Sequence, residues 1–238
     1  MAEIELTAVL PVYNDRTALE TAIPVSLEVL EGCADRFELV VAEDGSTDGS
    51  AELVSEWNAR DPRVRLVHSD ERLGRGRALN RVFRASTAPI VCYYDVDLAT
   101  DMRHLEPLVA AVRDGAAMTT GSRLMPGSEI VRSGGREFAS RGYNLLVRTV
   151  LGSRLHDHQC GFKAFDRERL LPIIDRARAP HWFWDTEVLV RGQQAGYAVV
   201  ELPVRWTEGP GTTVRSRDVV EMGSAVFRLW WQLYVAKD

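Results

Sequence analysis

Short apolar runs alternate along the first half of the chain with longer stretches in which apolar residues recur every three or four positions. These are the two periods of strand and amphipathic helix. Residues 6–12, 37–42, 64–68 and 90–95 read as strands, and 15–30, 50–60, 74–86 and 104–113 as the helices between them. Asp15 stands where an N-cap is needed. Pro24 predicts a break or restart in that helix, because proline lacks the amide that a helix interior uses. Strand and helix alternating at short intervals predict an α/β fold, a Rossmann-like, mostly parallel sheet with helices on both faces.

The second half is less regular. Residues 118–121 read as a strand, 122–136 as a Gly- and Arg-rich loop, 138–151 as a helix and 160–165 as a strand, with Asp166 capping the next helix. A helix over 184–195 stops at Gly196 and a last strand covers 199–206; glycine is the usual residue just past a helix C-terminus. The last twenty residues read as a helix carrying Phe227, Trp230, Trp231 and Tyr234. The chain thus divides into one α/β unit over 1–217 and an amphipathic tail over 218–238.

Ligands of open α/β sheets bind at the carboxyl ends of the strands, and three of these tips carry Asn14-Asp15, Glu43-Asp44 and Asp95-Val96-Asp97. Asp95 and Asp97 are hard oxygen donors suited to Mg²⁺ or Mn²⁺, and such an ion suits a diphosphate. Strict strand geometry sends them to opposite faces, so they share an ion only where the strand is already turning into loop. The alternative is turn chemistry alone. Glu43 and Asp44 can accept from a base N–H or from ribose hydroxyls, or Asp44-Gly45-Ser46 is a turn and Asp48 a cap. Gly74-Arg75-Gly76-Arg77 either faces phosphate or is a plain loop. Arg123, Arg132, Arg136, Arg141, Arg148, Arg205, Arg215 and Arg217 supply cations in the second half. Arginine forks match phosphate oxygens; Arg123, beside Gly121-Ser122 at a strand end, is the foremost candidate, and Arg148 and Arg205 read as surface.

Composition narrows these readings. A formal net charge of −5 argues against nucleic acid as a partner, which needs a basic footprint. Cys33, Cys92 and Cys160 fit no zinc pattern and no disulfide framework, which points to a reducing compartment. The first residues lack the basic flank and apolar core of a leader, and no run of about 20 apolar residues offers a membrane span. The five histidines are scattered and read as structural. Asp185 and Glu187 are the fallback candidates for a general base. No Gly-x-Gly-x-x-Gly follows the first strand, which argues against a dinucleotide oxidoreductase.

Leu10-Pro11-Val12-Tyr13-Asn14, Glu43-Asp44-Gly45-Ser46-Thr47-Asp48-Gly49-Ser50, Tyr94-Asp95-Val96-Asp97-Leu98 and Gly121-Ser122-Arg123 follow one another in the order typical of family 2 glycosyltransferases of the GT-A fold. Gln159-Cys160-Gly161-Phe162-Lys163, the segment from Trp184-Asp185-Thr186-Glu187 through Gly196-Tyr197, and Glu201-Leu202-Pro203-Val204 resemble the dolichyl-phosphate mannose and glucose synthases within that family. The resemblance implies a nucleotide-sugar donor (UDP-glucose or GDP-mannose), a Mg²⁺ or Mn²⁺ cofactor and a dolichyl or polyprenyl phosphate acceptor, with inversion at the anomeric carbon. By the same resemblance Pro11 and Asn14 line the nucleotide site, and Glu43 with Asp44 lies near base or ribose. Asp95 and Asp97 hold the metal and Arg123 faces phosphate. From the cations of the second half, Arg136 is expected to serve catalysis with Asp97 and Arg123, and Arg132 and Arg215 to meet the acceptor phosphate. The mannose synthases often carry D-A-D-L-Q, whose glutamine also meets the metal; here that position is Ala99, leaving water or Asp101 to fill the place. A phosphate acceptor is largely dianionic at neutral pH, with its second pKa near about 6, and needs no strong base.

Trp230, Trp231 and Tyr234 are membrane-interface residue types, while Glu221, Arg228 and Gln232 make the tail unsuitable for spanning. It lies on a bilayer, or packs on the protein or on a second copy in a homo-oligomer. The reading is a peripheral enzyme on the cytoplasmic face of a membrane. Its rivals are a family 2 transferase acting on a sugar hydroxyl and a non-catalytic nucleotide-sugar-binding module; the intact Asp95 and Asp97 argue against the second.

Overall fold

The computed structural model describes residues 3–131, 134–209 and 216–236. The first half runs β1 (Leu6–Val12), α1 (Arg16–Cys33), β2 (Phe37–Glu43), α2 (Ser50–Arg60), β3 (Val64–Val67), α3 (Arg75–Ala85), β4 (Ile90–Tyr94) and α4 (Leu105–Arg113). The second half runs β5 (Met118–Ser122), β6 (Glu129–Val131), α5 (Gly134–Leu151), β7 (Phe162–Asp166), α6 (Arg167–Arg176), α7 (Trp184–Gln194), β8 (Val199–Pro203), β9 (Arg205–Thr207) and α8 (Ser216–Trp231). Seven strands make the main sheet in the order β3-β2-β1-β4-β7-β5-β8. All neighbours are parallel except that β7 runs antiparallel between β4 and β5.

Burial follows the strand period. Leu6, Ala8, Leu10, Cys92 and Tyr94 pack with Leu19, Ile23 and Leu30 of α1 and with Leu105 and Leu108 of α4. Their neighbours Val9, Val91 and Tyr93 pack on the opposite layer with Leu79 and Phe83 of α3 and Trp184 and Val188 of α7. Side chains alternate across a strand, so a sheet covered on both faces needs the near-continuous apolar runs found here.

Four departures from the sequence reading have physical causes. Asp15 caps α1 as expected, accepting from the Ala18 amide, but Pro24 lies inside an unbroken helix. Proline in a helix interior costs about 3 kcal/mol; Pro24 faces solvent, and buried Leu19, Ala22, Ile23, Leu27 and Leu30 each return roughly 1.5–3 kcal/mol for the larger side chains. The loop expected over 122–136 contains β6, which pairs in parallel with β9. The strand expected over 199–206 is two strands, because at buried Val204 the chain leaves one sheet for the other: its amide donates to the Ser122 carbonyl and its carbonyl accepts from Glu129. The strand expected over 160–165 starts at Phe162, because just before it the Phe162 amide turns back onto the Cys160 carbonyl at 2.8 Å.

The tail packs on the body. Val226 and Leu229 of α8 are buried with Val147 and Leu151 of α5, Phe183, and Val190 of α7. A π-type turn, Gln232–Ala236, follows; Gln232 accepts from the Arg191 guanidinium at 2.9 Å, and the Tyr234 hydroxyl donates to the Leu151 carbonyl at 3.0 Å. Phe227, Trp230, Trp231 and Tyr234 nevertheless stay exposed, as do Phe138 and Leu145 of α5.

Candidate active site

Strand β4 ends at Tyr94, and the chain then turns: the Leu98 amide donates to the Asp95 carbonyl at 3.1 Å, with Leu98 at φ 49°. A non-glycine residue in this left-handed region is uncommon. The turn lifts the constraint of strand geometry, since Asp95 and Asp97 both lie past the end of β4 at the carboxyl edge of the sheet. Asp95 is anchored through its amide to the Gly161 carbonyl at 3.0 Å. A Cβ on Gly161 would lie 2.0 Å from Asp95 Oδ2, so the carboxylate occupies space that only glycine leaves. Partial withdrawal from water and then the adjacent Asp95 charge push the Asp97 carboxyl above the ordinary aspartate range, although the side chain remains exposed at the surface.

Behind Asp95 lies a chain of buried charges. Arg75, at the first turn of α3, places Nη2 2.8 Å from Asp95 Oδ1 and Nη1 3.7 Å from Asp185 Oδ2. Its guanidinium sits 5.2 Å from the ring centroids of both Tyr93 and Trp182. Asp185, in the first turn of α7, accepts from the Tyr93 hydroxyl and lies 3.1 Å from Lys163 Nζ. Lys163 also donates to the Cys160 carbonyl. Burial raises the Asp185 carboxyl to about 6 and lowers the Lys163 ammonium to about 7. For Arg75 the pull of burial toward a lower pKa is outweighed by the charges of Asp95, Asp185 and Asp97. The Gly74-Arg75 segment therefore places a buried cation against Asp95 and Asp185. Lys163 and Tyr93 were missed by sequence reasoning; the available signal was a lysine inside the apolar run Phe162–Asp166, since a buried lysine is almost always paired.

Pro11, Asn14, Glu43 and Asp44 come together at the same edge, at the tips of β1 and β2. Asn14 sits at φ 51°, its amide donating to Ser46 Oγ at 2.9 Å and its Oδ1 accepting from the Thr47 amide at 2.8 Å. Glu43 is buried and engaged by the Ser46 amide and His68 Nδ1. Asp44 is buried and accepts from the amides of Leu73 at 2.7 Å and Gly74 at 2.9 Å. Both carboxylates thus organise loops, and Asp44 fixes the entry to α3 and hence Arg75. The Arg72 guanidinium lies 3.9 Å over the Tyr13 ring. These two residues border a cleft of about 560 Å³ that continues past Pro180, Trp182 and Met222.

The cations are less uniform. Arg123 is clasped by buried Asp157, with Nε 2.7 Å from Oδ2, Nη2 3.0 Å from Oδ1 and its amide 3.1 Å from Oδ2. Its fork is engaged within the protein and stands 5.6 Å from the Trp206 ring. Arg136 falls within α5, but its side chain, like Arg132 and Arg215, lies outside the described residues. Asp101 does not complete a metal shell: its carboxylate is held by the Arg103 amide and guanidinium. Among the described residues no group of three or more His, Cys, Asp or Glu side chains is arranged to hold a metal. Asp95 and Asp97 are a two-carboxylate set of the kind a diphosphate-bound Mg²⁺ takes, the remaining positions being filled by phosphate and water.

The fallback bases are also engaged. Asp185 has the partners named above, and Glu187 accepts from the amides of Arg178 and Ala179 and from Arg191 Nε. His158 is buried between Asn144 Oδ1 and Ser153 Oγ, both at 2.7 Å. His156 pairs with Glu201 at 2.9 Å.

Residues 7–171 match the family model described as glycosyl transferase family 2, and the chain belongs to that family. It is 50% identical over 238 residues to glycosyltransferase AglD of Haloferax volcanii, covering 98% of this chain and 38% of AglD. The chain therefore spans well under half of that relative's length. It is 28% identical over 233 residues to the dolichyl-phosphate beta-glucosyltransferase ALG5C of Trichomonas vaginalis, covering 93% of this chain and 69% of that protein. Glucosyl-3-phosphoglycerate synthase from Mycobacterium tuberculosis, solved with Mn²⁺, UDP and glucosyl-3-phosphoglycerate, superposes with a TM-score of 0.67 at 21% identity, covering 96% of this chain and 79% of that one. Mannosyltransferase PcManGT from Pyrobaculum calidifontis, solved with GDP-Man and Mn²⁺, gives 0.60 at 22% identity over 96% of this chain and 65% of that one. These likenesses bear out the GT-A fold.

Proposed function

We propose that this protein is an inverting hexosyltransferase that moves a sugar from a nucleotide-sugar donor, UDP-glucose ahead of GDP-mannose, to the phosphate of a dolichyl or other polyprenyl phosphate. The observation that carries the reading is the turn that delivers Asp95 and Asp97 together to the carboxyl edge of the sheet, in a chain similar to dolichyl-phosphate beta-glucosyltransferases. Those two carboxylates would hold Mg²⁺ or Mn²⁺; when bound, the ion neutralises charge on the leaving nucleoside diphosphate. Pro11 and Asn14 border the nucleotide, and Arg75 adds positive charge beside the diphosphate. Arg136, Arg132 and Arg215 are the cations proposed to meet the acceptor phosphate. Arg123, engaged by Asp157, acts through its field.

The choice of a phosphate over a hydroxyl acceptor is supported by the state of the fallback bases. Asp185 and Glu187 are buried and held by cations and amides, so neither is free to take a proton from a hydroxyl. A phosphate dianion makes no such demand. Exposed Phe138, Leu145, Phe227, Trp230 and Trp231 on the packed pair α5 and α8 support peripheral docking on a bilayer that presents the lipid; the cytoplasmic face is part of the same proposal. No helix among the described residues is long and apolar enough to cross a membrane.

The test is a donor screen. Purified protein with dolichyl phosphate and Mn²⁺ or Mg²⁺ is offered radiolabelled UDP-glucose and GDP-mannose, and label is followed into the organic phase. Transfer from UDP-glucose is expected; no lipid-linked label from either donor contradicts the proposal.

A further inference from the structure

Lys163 is fully buried in β7, where the register sets it opposite Tyr93 of β4 and Thr120 of β5. Its ammonium meets Asp185, Asp185 faces Arg75, and Arg75 faces Asp95. Charges therefore alternate in sign from the middle of the sheet to the carboxylate that ends β4. Arg75 is shared unequally: 2.8 Å from Asp95 and 3.7 Å from Asp185. The two aromatic rings at 5.2 Å confine it without offering a hydrogen bond, and neither its Nε nor its Nη2 has a hydrogen-bond partner among the described residues, so its approach to Asp95 is an ion pair without hydrogen-bond geometry. The guanidinium is thus held by its two carboxylates, and its position depends on how strongly each attracts it. What Lys163 neutralises on Asp185 is what Asp185 does not exert on Arg75.

We propose that Lys163 and Asp185 are positioning residues which, by dividing Arg75 between Asp185 and Asp95, set how strongly the Asp95–Asp97 pair binds a divalent cation. Arg75 on Asp95 opposes a cation; Arg75 drawn toward Asp185 leaves Asp95 free for one. The inference rests on the reading of Asp95 and Asp97 as metal ligands. It yields opposite signs for two substitutions in one buried pair. Asp185→Asn releases Arg75 onto Asp95 and weakens cation binding. Lys163→Met leaves Asp185 without its ammonium, draws Arg75 back and strengthens it. Damage to packing alone does not push two neighbouring substitutions in opposite directions.

The experiment is an electron paramagnetic resonance titration of free Mn²⁺ into wild-type protein and variants, with melting curves to establish that each is folded. Wild type is expected to bind and Asp97→Ala to lose binding; unchanged binding in Asp97→Ala removes the metal reading itself. Relative to wild type, Asp185→Asn is expected to bind Mn²⁺ at least threefold more weakly and Lys163→Met at least twofold more tightly, with Lys163→Arg returning to the wild-type value. Shifts of the same sign in the first two, or no shift, overturn the proposal. If either fails to fold, Arg75→Gln decides: tighter Mn²⁺ binding is expected from loss of the opposing cation, and unchanged or weaker binding overturns it.

Discussion

Gly161 and Asp95 are interlocked: the glycine carbonyl accepts the aspartate amide at 3.0 Å, and its missing side chain leaves the room that the carboxylate fills. Gly161→Ala puts a methyl 2.0 Å from Asp95 Oδ2, a clash that one of them must relieve by moving. The backbone hydrogen bond restrains Gly161, so the carboxylate moves. Overpacking costs about 1–3 kcal/mol, so the variant is expected to fold with a lowered melting temperature and to lose most Mn²⁺ binding. Wild-type Mn²⁺ affinity in Gly161→Ala would show that the carboxylate position is not critical.

Arg123 and Asp157 are both withdrawn from solvent and joined at two points. Removing one member of such a pair leaves a buried charge alone, at about 3–5 kcal/mol. Asp157→Asn is expected to lower the melting temperature sharply, and Arg123→Met in the same chain to recover much of it. A double variant no more stable than Asp157→Asn contradicts a pairwise account. Loss of transfer in Arg123→Ala is therefore to be read together with its stability.

Much of the fold was legible because burial on both faces of a parallel sheet demands apolar runs, and those of β1, β2 and β4 stand out. The turn at Asp95 was legible as a requirement, since two carboxylates one residue apart cannot meet on a regular strand. The partners of the charges were not. That Glu43 serves His68, that Asp44 serves Leu73 and Gly74, and that Arg123 serves Asp157 are contacts across 25 to 34 positions of sequence, and no local pattern records them. The same holds for Lys163, which reaches Asp185 only because β7 is inserted antiparallel beside β4. Pro24 was misread because local propensity was weighed without the packing that overrides it.

His158 is one source of acid sensitivity in the folded protein. Burial lowers its pKa to about 3, against about 6.5 in an unfolded chain. Between those values the unfolded chain binds a proton that the folded one refuses, so stability falls as pH drops below about 6.5, by up to about 1.4 kcal/mol per unit for this group alone. His158→Gln is expected to flatten the dependence of unfolding free energy on pH between about 4 and 6.5 in urea titrations. An unchanged slope contradicts a neutral, buried His158.

Trp230 and Trp231 leave 39% and 58% of their surface exposed while Val226 and Leu229 beside them are buried. Changing both tryptophans to serine is thus expected to leave the melting temperature nearly unchanged, to reduce sedimentation with anionic liposomes several-fold and to reduce turnover of long-chain lipid. Turnover of a short, water-soluble polyprenyl phosphate is expected to persist. A drop in melting temperature with loss of both activities assigns the tryptophans to the core instead.

The central claim is that a hexose is joined to a lipid phosphate at a site that depends on Asp97. It is tested most directly by mass spectrometry of the product formed from UDP-glucose, Mn²⁺ and an equimolar mixture of dolichyl phosphate and dolichol, with wild type and Asp97→Ala in parallel. A hexosyl phosphodiester is expected from dolichyl phosphate alone, with no product in the variant or in excess chelator. Hexose on the free alcohol, or turnover undiminished in Asp97→Ala, contradicts it.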